Sequence, residues 1–203
     1  MPYSDTTAHP ALVAALKTMV YPGVAHTFLD CGVGAGWTAV LIQQACPIAR
    51  ITGLEIYAPY VLDKAIRAEV EADCGLYHCL YESMVIGKLG DFRLFLPGQA
   101  SDAYDFVIFG DSLEHVTRPE GEEALAAAQA VARRAVVAVV PSVRHVEGQD
   151  YVLDQGEVFG NEHEAHLTHW WPQELESFGG RAAGHGKFAT VYVWEKQRAV
   201  VYR

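Results

Sequence analysis

Four carboxylates stand where apolar runs meet glycine. They are Asp30 in "LDCGVGAG", Glu55 in "GLEI", Asp91 in "LGDF" and Asp111 in "FGDS". Gly32, Gly34 and Gly36 fall at alternate positions, which lets a ligand come close to the backbone and allows unusual dihedrals there. Glu55 follows Gly36 by 19 residues, and a carboxylate there can accept hydrogen bonds from both ribose hydroxyls. Asp91 can accept from an adenine amino group. Asp30 precedes the first glycine by two residues and suits a ligand with a cationic centre, an ammonium or a sulfonium. The chemistry these residues serve is recognition of an adenosine that carries a positively charged group. The dinucleotide fingerprint is GxGxxG, whereas the spacing here is GxGxG.

The elements that must position these acids are legible as alternating patterns. "HPALVAALKTMVYPG" reads as a helix with Pro10 in its first turn and Pro22-Gly23 beyond its end. "HTFLDCG", "RITGLEI", "SMVIGKLGD", "YDFVIFGD" and "AVVAVVP" read as strands. Helices are expected between them over "GWTAVLIQQA", "APYVLDKAIRAEVEADC" and "PEGEEALAAAQAVARR". Arg133-Arg134 reads as the end of the last of these, where cations favour the helix dipole. Strands that are near-continuous apolar runs, alternating with helices, predict a parallel sheet covered on both faces. In such sheets ligands bind at the carboxyl ends of the strands, and each acid falls at such an end. Beyond Pro141 a long stretch lacks periodicity. "WPQELESFG" is a short helix, and "KFATVYVWEKQRAVVYR" alternates as one or two antiparallel strands.

"LDCGVGAG", "GLEI", "GDFRLFLP" and "YDFVIFGDSLEHV", in this order, resemble the motifs of class I S-adenosylmethionine-dependent methyltransferases, over about residues 25–141. The resemblance implies a Rossmann-like α/β fold: a seven-stranded, mostly parallel sheet with helices on both faces and an antiparallel last strand. It implies S-adenosyl-L-methionine as cofactor and S-adenosyl-L-homocysteine as product. Asp30, Gly32, Gly34 and Gly36 would hold the methionine part. Glu55 would bind the ribose with Ile56 beside the adenine, Asp91 and Phe92 would meet the adenine edge, and Gly110 and Asp111 would lie beside the methyl group. Lys88 follows Gly87, so the third strand could end there instead, but "GDFRLFLP" fits the family's run better.

The family's amino-methylating members on bases carry an NPPY-like turn after the fourth strand. This chain has "GDSLEH" instead, its "LEHV" resembles many small-molecule methyltransferases, and it lacks the Pro-Cys pair of cytosine enzymes. Methyl transfer needs mainly a near-attack geometry, and a base only where the acceptor holds its proton tightly. The candidate bases are Asp111, His115 and His166. "NEHEAHLTHWW" holds His163, His166 and His169, whose spacing does not put all three on one face of a helix or strand, and no metal is assigned. His166 is expected to face the substrate pocket on resemblance alone. Trp170-Trp171 reads as helix-anchoring core, and Tyr57 and Tyr60 as core or adenine-edge packing.

The 203 residues predict a single domain, with residues 1–24 as a lid helix and 142–170 as a substrate-side loop. A net charge of -10 without a Lys or Arg cluster argues against nucleic acid. No apolar run is long enough to span a membrane. Four cysteines without CxxC spacing read as free thiols in the cytoplasm. The expected partner is a small-molecule substrate, and the sequence sets no oligomeric state. Two other readings stand beside this one: an S-adenosyl-ligand-binding protein without transfer activity, and a nicotinamide-dependent oxidoreductase.

Overall fold

The computed structural model describes residues 6–34, 36–62, 85–141 and 160–196. Seven strands form one sheet: β1 (Thr27–Cys31), β2 (Arg50–Glu55), β3 (Val85–Leu89), β4 (Tyr104–Gly110), β5 (Ala132–Pro141), β6 (Arg181–His185) and β7 (Ala189–Glu195). Their order is β3-β2-β1-β4-β5-β7-β6. Neighbours from β3 to β5 run parallel, and β7 is antiparallel to both β5 and β6. This is the expected sheet, with its last strand reversed.

The described helices are α1 (His9–Met19), α2 (Trp37–Ala45), α3 (Ala58–Leu62), α4 (Phe92–Phe95), α5 (Arg118–Val131) and α6 (Pro172–Ser177). Alternate strand residues point to opposite faces. Phe28, Phe106, Ile108, Val137 and Val191 pack under α1 and α2 through Leu12, Leu16 and Ile42. Leu29, Val107, Phe109, Val136 and Tyr192 pack under α5 and α6 through Leu125, Ala128 and Leu175, with Trp170. Covering both faces explains why the strands read as unbroken apolar runs. α5 begins where the chain signals it. Thr117 and Glu120 form a capping box, with the Thr117 N–H donating to Glu120 Oε2 at 2.9 Å, and Pro119 lies in the first turn.

Three expectations are corrected. Arg133 and Arg134 do not end a helix, because the chain passes from α5 directly into β5 at Ala132. Arg133 pairs with Asp105 at 3.0 Å, and Arg134 lies over the Tyr21 ring at 4.3 Å. β3 ends at Leu89, so Asp91 stands two residues beyond it as the N-cap of α4, donated to by the Arg93 N–H at 2.8 Å. Finally, the C-terminal hairpin includes β6, an edge strand over "RAAGH" that carries no apolar alternation. Its small residues serve α1: a Cβ on Gly184 would sit 2.7 Å from Ala11 Cβ. The continuation of α3 past Leu62, residues 142–159 of the long loop, Ala35 and the chain after Lys196 lie outside the described residues. Among those described, no helix is long and apolar enough to cross a membrane.

Candidate functional site

The strand order reverses between β1 and β4, and the crevice at such a point is where open α/β sheets take ligands. Parallel register sets Cys31 beside Leu54 on one side and beside Phe109 on the other, so the carboxyl ends of β1, β2 and β4 lie side by side. The chain leaves β1 through the glycine turn. The Gly32 and Val33 N–H groups both donate to the Leu54 carbonyl at 2.9 Å. Gly32 has φ 84°, and a Cβ there would meet Ser112 Cβ at 2.7 Å. Only glycine fits that position. Gly36, with φ 86°, caps the start of α2.

Glu55 ties this turn to β2. Its Oε2 accepts from the Gly34 N–H at 2.8 Å and its Oε1 from the Tyr57 N–H at 2.9 Å. Burial pushes its carboxyl up to about 7, although these two N–H groups favour the charged form. Asp30 is fully buried, and neither of its oxygens has a hydrogen-bond partner among the described residues. Burial, aided by the neighbouring Glu55 charge, pushes its carboxyl up to about 8. The Thr38 and Ser112 hydroxyl oxygens in the same crevice are also buried without partners. A buried polar atom left unpaired costs about 1–3 kcal/mol, which makes these atoms candidates to meet a ligand. The donor set fits the expected cofactor: an unpartnered carboxylate for a cationic centre, and a second carboxylate with lone pairs left for ribose hydroxyls.

Gly110 closes β4 against α2, where a Cβ would come within 2.3 Å of Thr38 Oγ1. Asp111 follows with φ 49°, a left-handed conformation unusual for a residue other than glycine, and its N–H donates to Val139 O at 3.0 Å. Asp91 and Phe92 lie at the β3 side. Both oxygens of Asp91 accept from Arg93, at 2.6 to 3.0 Å, and Phe92 packs edge-on against Phe109 with centroids 5.4 Å apart. Ile56 is half-buried between Glu55 and Tyr57.

A second group of residues meets the crevice from the far end of the chain. Segment 160–171 is stitched onto the loop after β4. The Leu167 and Thr168 N–H groups donate to Glu114 O at 2.7 and 3.0 Å. The Thr168 hydroxyl donates to Val116 O, and Trp170 Nε1 to Leu113 O at 3.0 Å. Trp170 is buried against Gly121 of α5, where a Cβ would come within 2.4 Å of its ring. These contacts set His166 beside His115, with ring centroids 4.9 Å apart. His115 Nδ1 lies 3.2 Å from Ala165 O, so the ring is held when that nitrogen carries the proton. Burial, with His115 and His169 nearby, pushes His166 down to about 4, so it is neutral at neutral pH.

Sequence reasoning brought forward His115 and His166 but passed over Glu114. That residue is 1% exposed, and its Oε2 has no partner. Burial, with the charges of Asp111 and Glu164 beside it, holds its carboxyl far above the usual range. An acid directly before His115 was the available signal. The side-chain nitrogens and oxygen that meet there are those of Glu114, His115 and His166, while His169, near enough to act on His166, stacks on Trp171. Trp170 is core, whereas Trp171 is exposed. The Tyr60 hydroxyl donates to Glu164 Oε1 at 3.0 Å, and its ring meets Tyr57 edge-on. Tyr60 and Glu164 thereby join the two halves of the crevice.

No protein-family model and no curated protein matches the sequence. Solved structures do match the fold. An O-methyltransferase family protein from Burkholderia thailandensis aligns over 95% of this chain at 15% identity and TM-score 0.62. The 1,6-didemethyltoxoflavin-N1-methyltransferase of the same organism, solved with 1,6-didemethyltoxoflavin and S-adenosylhomocysteine bound, aligns over 96% at 16% identity and TM-score 0.57. The [4+2]-cyclase SpnF aligns over 82% at 17% identity and TM-score 0.52. The chain spans 57% of the first, 80% of the second and 53% of the third. At these identities the likeness is one of fold, and neighbours named for O-methylation, N-methylation and cyclisation share it. With its strand order and reversed β7, the chain has the fold of the class I S-adenosylmethionine-dependent methyltransferases.

Proposed function

We propose that the chain binds S-adenosyl-L-methionine and transfers its methyl group to a small-molecule acceptor, at oxygen or carbon rather than at a nucleobase nitrogen. The observation that carries this reading is Asp30, a fully buried carboxyl without a partner beside the glycine turn. When bound, the cofactor supplies a methyl group on a sulfonium, open to in-line displacement by the acceptor.

The chain's own residues divide the work. Asp30 and the turn through Gly32, Gly34 and Gly36 hold the amino-acid end. Glu55 accepts from the ribose, and its hydrogen bond from Gly34 couples ribose recognition to the shape of the turn. Ile56, Asp91 and Phe92 border the adenine. Gly110 and Asp111 flank the methyl group, and Glu114, His115 and His166 form the acceptor's wall. A neutral His166 can orient or deprotonate an acceptor hydroxyl. We place the protein in the cytoplasm as a single domain, with residues 6–24 and 160–170 bordering the pocket. The buried free thiols Cys31 and Cys46 support a reducing compartment.

The test is transfer of a labelled methyl group from S-adenosylmethionine to a panel of hydroxylated and enolic small molecules. Label should appear on an acceptor with the wild type and be lost in a folded Asp30→Ala variant. Tight cofactor binding with no label transferred across the panel would favour the binding protein without transfer activity.

A further inference from the structure

We propose that Glu114, His115 and His166 form a binding site for a divalent transition-metal ion, with open positions toward the acceptor. Their candidate ligand atoms, one carboxylate oxygen and two imidazole nitrogens, all lie within 4.8 Å of one another. Ligands on one zinc-like ion are spaced about 3.3 Å apart, so rotations of the side chains by about 1–1.5 Å close the site. Two imidazoles and one carboxylate select zinc, iron(II) or manganese over magnesium, which prefers an all-oxygen shell.

Three features point to a ligand here rather than to packing. Glu114 Oε2 is buried with no partner among the described residues. Asp111 and Glu164 stand near enough to act on the Glu114 charge, and Glu164 also acts on Glu55. Carboxylates converge along the crevice, and Arg118, the cation packed on the returning segment, is already engaged by Glu174 and the His169 carbonyl. The imidazoles are also held as outer-shell partners hold metal ligands. The Ala165 carbonyl, 3.2 Å from His115 Nδ1, fixes the tautomer that leaves Nε2 as the donor to a metal. His166 is positioned by the hydrogen bonds of Leu167 and Thr168 to the Glu114 carbonyl, so two ligands share one backbone anchor. Three protein ligands leave positions for water or for an acceptor oxygen, whose proton the ion would acidify. The acceptor's place at the ion rests on the methyl-transfer reading; metal binding itself does not.

The experiment is titration of chelator-treated full-length protein with Co²⁺, read by its visible absorption, and with Zn²⁺, Mn²⁺ and Mg²⁺ by calorimetry, all without cofactor. Saturable Co²⁺ uptake of one ion per chain with a ligand-field spectrum is expected, and Mg²⁺ should bind far more weakly. Glu114→Gln, nearly isosteric, and His166→Ala should each lower affinity by at least about 10-fold, the lower end of what even outer-shell partners cost. His163→Ala and His185→Ala should not. Absence of saturable uptake by the wild type, or affinity unchanged in Glu114→Gln and His166→Ala, would overturn the site. Uptake without S-adenosylhomocysteine binding would sink the methyl-transfer reading and leave the metal site standing. Cofactor binding without uptake would do the reverse.

Discussion

Asp105 and Asp30 stand at opposite ends of the paired central strands β4 and β1, and their surroundings treat them in opposite ways. At the amino end, Asp105 accepts from the Thr27 N–H at 3.0 Å and from Arg133 Nε at 3.0 Å, with His26 Nδ1 3.4 Å away. Burial there raises the carboxyl, but Thr27, Arg133 and His26 outweigh it and hold it below the usual range. At the carboxyl end, Asp30 is buried with no partner and is pushed up to about 8. The same sheet completes one acid and leaves the other waiting. An acid of the first kind stabilises the fold, and one of the second kind is a candidate for ligand recognition.

The contrast breaks most plainly at Asp105. Asp105→Ala should cost about 2 kcal/mol at neutral pH, mainly because the Thr27 N–H loses its acceptor, with little added by the solvent-exposed Arg133. Its depressed carboxyl contributes stability above the unfolded-state value, lost as pH falls through the folded one. Acid denaturation of the variant should therefore be shallower. Chemical denaturation across pH measures both effects, and a variant as stable as wild type would remove the distinction between the two ends.

The next effect belongs to the acceptor wall. Gly121→Ala drives a methyl group into the Trp170 ring, within 2.4 Å of it, and should cost about 2 kcal/mol. Because Trp170 anchors segment 160–171, methyl transfer should fall more than S-adenosylhomocysteine affinity does. Equal losses in both would mean that the two halves of the crevice are not separately positioned.

The third effect has the opposite sign and grows with pH. Asp30 keeps its proton in the ligand-free fold up to about pH 8, whereas the unfolded chain loses it near 3.8. Between those values the unfolded state binds fewer protons, so this residue lowers stability as pH rises, by up to about 1.4 kcal/mol per pH unit. Asp30→Asn removes that slope. The ligand-free variant should be more stable than wild type by at least about 1 kcal/mol at pH 8 and nearly equal to it near pH 4. Thermal unfolding of both proteins across that range checks the sign, and a variant destabilised at pH 8 would show that Asp30 has a partner after all.

The two halves of the crevice also differed in how far they could be read in advance. Asp30, the glycines and Glu55 lie close together in the chain, and parallel pairing of β1 with β2 brings them together without any distant contact. Local spacing therefore carried their geometry. Glu114 and His166 are separated by α5, β5 and the long loop, and they meet because Trp170 seats on Gly121 and the Glu114 carbonyl takes two N–H groups from the returning segment. No periodicity encodes that contact. A glycine in the first turn of a strong helix was the one local trace of it. β6 was missed for a related reason: its small residues are chosen for the approach of α1, not for alternation. Arg133 and Arg134 were misplaced because a helix running straight into a strand leaves no turn residue to mark the boundary.

The most direct test is calorimetric titration of the protein with S-adenosylmethionine, S-adenosylhomocysteine and NAD, repeated on Glu55→Ala. The account predicts micromolar binding of both S-adenosyl compounds, weakened in the variant by about 10-fold or more, as loss of a charged hydrogen-bond acceptor implies. Binding of NAD with none of either S-adenosyl compound would contradict it, and would mean that the turn from Gly32 to Gly36 cradles a dinucleotide instead.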